Sequence, residues 1–133
     1  MHNPRTVPAD NNDTAIAAQF VMRCFHARTN AHVLHLQTTS YAEHKALEGF
    51  YDELVPLVDR FAETYQGSYG VIEDYPSGFT FSESSEDMID EFEEWVADNR
   101  ARIGITSDTH LQNIIDEIVA LARSTRYKLR TFT

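Results

Sequence analysis

In four stretches of this chain, apolar side chains recur at steps of three or four residues, the period of one helix face. Ile16, Phe20, Cys24, Ala27, Ala31 and Leu34 mark a first helix (A) that opens at Thr14 behind an Asp13 cap and runs to Leu36. Leu47, Tyr51, Leu54, Val58, Phe61 and Tyr65 form the stripe of a second (B), from Tyr41 to Gln66. A third (C), from Ser85 to Ile103, carries Met88, Phe92, Trp95, Val96 and Ile103 on its apolar face. Ser84 with Asp87 gives it a capping-box start, and Gly104 is placed to end it. A fourth (D) follows a Thr106–Asp108 cap and turns Leu111, Ile114, Ile115, Ile118 and Leu121 inward. With 5 Gly and 4 Pro, mostly outside these stretches, helices are favoured over a turn-rich β fold.

The connections set the topology. The words QTTS (37–40) between helices A and B and the cap between C and D are short, whereas residues 67–83 lack helical period. Those residues can cover about 55 Å when extended, enough to return along helix B, about 39 Å long. The expectation is an all-α, ferritin-like four-helix bundle with a long crossover between its second and third helices. Residues 1–12, with two prolines, read as an extended tail on a single domain spanning 1–133. Pro56 falls inside helix B and should kink it near Asp52.

Charge narrows the partners. The net charge is −10, from 21 acidic and 11 basic residues, so the phosphate contacts that dominate nucleic-acid affinity are scarce. Multivalent cations suit this balance better. Cys24 is alone, which removes disulfides and Cys-based zinc sites and makes it an inert core residue. No signal-peptide pattern and no membrane-length apolar run occur, so a cytoplasmic address is expected. For a phage gene that means the host cytoplasm or the virion.

One constellation stands out on helix B. On a helical wheel with His44 at the origin, Glu48, Asp59, Asp52 and Glu63 fall within about 100°. His35, at the end of helix A, can approach His44 across the short connection. His44 and Asp59 are nevertheless about 22 Å apart along the axis and cannot share an ion within one chain. Two antiparallel copies of helix B about a two-fold axis near Asp52 would bring the histidine end of one to the Asp59/Glu63 end of the other.

The stretch LHLQTTSYAEHKALEGFYDELVPLVDRFAETYQG, from Leu34 to Gly67, resembles the core of Dps-type mini-ferritins. It also resembles small ferritin-like proteins of tailed phages, on the words SYAEHKAL and AYQG-like. The mini-ferritin resemblance implies metal ligands His35, His44, Glu48, Asp59 and Glu63, with iron oxidised at the two-fold interface and stored inside a dodecameric shell. The chain departs from the pattern in four ways. Its inter-histidine connection is three residues shorter, Leu36 stands where a Trp is common, Pro56 lies in the metal helix, and no Lys-rich tail for DNA exists. The Glu-x-x-His signature of a di-iron site inside one bundle is absent.

Plainer readings run alongside. His35 and His44 can be capping or interfacial histidines, and Asp59 with Glu63 a solvated acidic pair near Arg60. His26 and His32 read as surface or interface residues, and the acidic face of helix C as solvated or lining a pore. Tyr69, Tyr75, Phe79 and Phe81 read as anchors of the crossover. Two function classes therefore stand: a mini-ferritin-like ferroxidase, or a structural or interaction protein that keeps the bundle and its dimer without catalysis.

Overall fold

The structure, a computed structural model, describes residues 11–104 and 107–133, with side chains from Thr14 onward. It contains four helices, α1 (Asn11–Gln37), α2 (Tyr41–Tyr69), α3 (Ser85–Asn99) and α4 (Thr109–Phe132), and no strand among the described residues. α1 packs on α2 and α3, and α4 packs on the same two, so α2 and α3 take opposite corners of a four-helix bundle. Residues 70–84 cross between those corners. None of the helices is long and apolar enough to cross a membrane.

The helix faces drawn from periodicity meet in one apolar core. Phe20, Phe50, Phe61, Leu54, Ile89, Ile115 and Ile118 are fully buried there. The Phe20 and Phe61 rings meet edge to face at 4.8 Å, the arrangement aromatic quadrupoles prefer. Cys24 is enclosed in this core and burial pushes its thiol well up.

Several boundaries differ from those drawn on sequence. α1 already includes Asn11 and Asn12, so Asp13 lies within the helix and is not its cap. The remainder of the expected tail lies outside the described residues. α2 continues through Pro56, whose ring is exposed, and runs three residues beyond Gln66 to Tyr69. There Tyr69 donates its hydroxyl to Asp108 at 3.0 Å, and burial with that carboxylate pushes its pKa to about 12.

α3 ends at Asn99, four residues before Ile103, because the chain is drawn aside there by Gln112. The Gln112 amide donates to the carbonyls of Arg100 (3.0 Å) and Ile103 (3.3 Å), supplying partners that a continued helix would have supplied. Ile103 is buried, and Gly104 follows with φ +74°, where an added Cβ would lie 2.7 Å from Leu111 Cδ1. At the start of α4, Asp108 caps the Leu111 amide; Thr106 lies outside the described residues.

Two polar contacts fix the crossover. Buried Asn30 on α1 donates to the Ser82 carbonyl and accepts from the Ser82 amide, both at 2.8 Å. Glu43, in the first turn of α2, accepts hydrogen bonds from Thr38 on one carboxylate oxygen and from Ser85 (2.8 Å) on the other. The start of α3 is thereby held beside the start of α2, and the crossover returns the length of α2. Phe81 packs on the core, whereas Tyr75 and Phe79 remain exposed.

The acidic face of α3 is not simply solvated. Arg130, Arg126 and Arg123 of α4 pair in antiparallel order with Glu86, Asp90 and Glu93, the closest contact being Arg126 to Glu93 at 2.6 Å. Such pairs contribute about 0–1 kcal/mol each when exposed, so they fix register more than stability. Asn30→Ala should destabilise the fold by about 1–2 kcal/mol, because it removes the partner of two Ser82 backbone groups in a partly buried setting. Urea denaturation measures this; a midpoint equal to wild type would mean the Asn30 clasp does not hold the crossover.

Candidate metal centre

The turn between α1 and α2 is built to be short. The Thr38 amide closes α1 on the Leu34 carbonyl at 2.9 Å, and the Ser40 hydroxyl caps α2 on the Glu43 amide at 3.1 Å. Only three residues separate the helices, so the last turn of α1 lies directly against the first turn of α2. That places His35 level with His44, and their rings stack at 3.6 Å with 17° between planes.

Each imidazole anchors the other's backbone. His35 Nδ1 donates to the His44 carbonyl, and His44 Nδ1 donates to the His35 carbonyl, both at 2.7 Å. A carbonyl oxygen only accepts, so each Nδ1 carries the proton. In the neutral ring this leaves Nε2 as a lone pair, the tautomer that metal-ligating histidines have when a backbone carbonyl holds their other nitrogen. His35 is 7% exposed and His44 is half-buried.

Glu48 stands one turn along α2. One ligand atom from each of His35, His44 and Glu48 lies within 4.8 Å of the others. The Glu48 carboxyl is held below the usual range by its hydrogen bond and charge pairing with Lys45 at 3.1 Å, assisted by the two histidines. It is therefore a carboxylate at neutral pH, ready to accept a cation in place of Lys45. Two imidazoles and one carboxylate form a donor set suited to divalent first-row transition metals.

Asp59 and Glu63 are not part of this cluster. Both are exposed, and they flank a shallow cleft with Pro56, Arg60 and Thr64 farther along α2. Arg60 is ion-paired with Glu117 of α4. Of the five expected ligands, the structure brings together three.

It also brings in two residues that were assigned elsewhere. His32, read as a surface or interface residue, is exposed, stacks on Tyr51 at 4.2 Å and lies edge-on to His35 at 5.8 Å. Tyr51, counted in the buried stripe, is half-buried and meets the His35 ring at 5.3 Å. The signal for His32 was its spacing three residues before His35, which puts both on one helix face.

A family model described as "Family of unknown function (DUF5856)" matches residues 35–129. The chain belongs to this family. The matched segment begins at His35 and contains His44 and Glu48. The chain is also 30% identical over 105 residues to the "Uncharacterized 14.6 kDa protein in mobD-ri intergenic region" of Enterobacteria phage T4, covering 77% of this chain and 79% of that protein. No solved structure matches it.

The hydrogen-bond geometry makes a spectroscopic prediction. Long-range proton–nitrogen correlation spectra of the metal-free protein above pH 8 should show both His35 and His44 protonated on Nδ1, the minority tautomer of free histidine. Nε2–H signals for either ring would refute the arrangement.

Proposed function

We propose that this chain binds divalent transition-metal ions through His35, His44 and Glu48. In agreement with the mini-ferritin resemblance, the ions are Fe(II), oxidised and stored as ferric product. The observation that carries the reading is the convergence of one ligand atom each from His35, His44 and Glu48 within 4.8 Å, where reciprocal Nδ1–carbonyl hydrogen bonds leave each Nε2 its lone pair. The bundle with its long crossover supports the ferritin-like assignment, as does the matching helix order. Asp59 and Glu63 of a second copy complete each site in an antiparallel α2 pair, and a dodecameric shell would hold the product. Iron here is substrate and cargo: two Fe(II) give two electrons to one peroxide, which takes up two protons and leaves as two waters.

The alternative is a non-catalytic structural or interaction protein of a phage. The exposed outer face of α2 favours it, since Asp52 and Glu53, beside the two-fold axis, would confront their own copies. Like charges so placed repel unless a cation lies between them. The similar T4 protein supports a phage setting for either reading.

Anaerobic Fe(II) followed by peroxide should raise ferric absorbance, and His44→Ala should reduce the initial rate about 10-fold or more. Oxidation no faster than in buffer, or unchanged in His44→Ala, would remove the ferroxidase reading. A mass corresponding to twelve subunits would favour storage, and a plain dimer the structural role.

A further inference from the structure

The cluster His35, His44 and Glu48 is one donor short of the four that close a tetrahedral site. The reading above takes further donors from a second copy. A nearer donor lies in the same chain.

His32 precedes His35 by one helical turn on the same face of α1. Its ring is 5.8 Å from that of His35, just outside the group whose ligand atoms converge. The side chain is exposed, no side-chain hydrogen bond among the described residues holds either ring nitrogen, and its nearest ring contact is the flat stack on Tyr51. Tyr51 stands one turn beyond Glu48 on α2, so this stack parks His32 level with the carboxylate it would join. Rotation about its side-chain torsions is free to occur on the solvent side.

We propose that His32 is a fourth ligand, swinging off Tyr51 to close a single-chain site of three imidazoles and one carboxylate around a Zn2+-like divalent ion. The proposal rests on His35, His44 and Glu48 being metal ligands, and it is independent of iron oxidation. Nitrogen-rich donor sets favour the later first-row ions over Fe(II), both by ligand type and by the general affinity order. A closed set of four protein ligands is also the arrangement of structural rather than catalytic zinc. The ion would clamp the end of α1 to the start of α2, where the two histidines already join them.

Co(II) titration of the full chain distinguishes the outcomes. Wild type should take up one Co(II) per chain and show the intense visible bands of four-coordinate cobalt. In His32→Ala those bands should collapse to the weak spectrum of a hydrated, higher-coordinate ion, with binding about 10-fold weaker or more. The spectrum should persist on dilution of the protein at constant free Co(II) until the chain is monomeric, because no second copy is needed. An unchanged spectrum and affinity in His32→Ala would overturn the role of His32 and leave the three-residue site standing. Loss of the bands on that dilution would overturn the single-chain closure. Absence of Co(II) binding by wild type would overturn both this inference and the metal reading beneath it. Circular dichroism of the variant checks the fold, and His32 is exposed enough for the bundle to survive its loss.

Discussion

Two hydrogen bonds of 2.7 Å, each from an imidazole to the other histidine's backbone carbonyl, govern the geometry of the end of the bundle where α1 meets α2. The His35 carbonyl is one of the last four of α1 and has no amide partner within its helix, so His44 satisfies a group that would otherwise need water. The His44 carbonyl already serves α2 and lends its second lone pair to His35. Both bonds require the helices to come close and the turn to stay short. They also fix which nitrogen of each ring faces outward, so backbone closure and ligand presentation have the same cause.

Glu43 extends this constraint to the third helix. Its carboxylate takes one hydroxyl from the α1–α2 turn and another from the first residue of α3. The crossover, clasped by Asn30, then has its landing point determined from both sides. The polar end of the molecule is thus organised around acceptors with matched donors, while the apolar faces fill the interior without needing any metal.

The local terms of this arrangement were legible in the sequence. Helix faces followed from the three-to-four spacing, the caps Ser84 and Asp108 from residue type, and the meeting of His35, His44 and Glu48 from a short turn and one wheel. What escaped depended on pairing between helices. His32 and Tyr51 come together only because α1 and α2 run antiparallel at a particular register, which no single wheel displays. The same holds for α3 and α4: the acidic face with Glu86, Asp90 and Glu93 reads as solvated until its spacing is laid against the reversed spacing of Arg123, Arg126 and Arg130. The end of α3 was misplaced because Gly104 is a real positive-φ stop, but of the turn that follows the helix rather than of the helix itself.

The arginine ladder between α3 and α4 has a consequence for the whole molecule's field. Three of the chain's 11 basic side chains are spent neutralising one flank. Exposed negative charge without an ion pair among the described residues remains on the outer face of α2, at Asp52, Glu53, Asp59 and Glu63, and on the other flank of α3, at Asp87, Glu91, Glu94 and Asp98. The acidic charge is thus compensated along the α3–α4 seam and uncompensated along the helix that carries His44 and Glu48, where a drifting cation is attracted. Such guidance acts over about a Debye length, roughly 8 Å at physiological ionic strength. Added salt would blunt the capture of ions while making that face easier to bring against another of its kind.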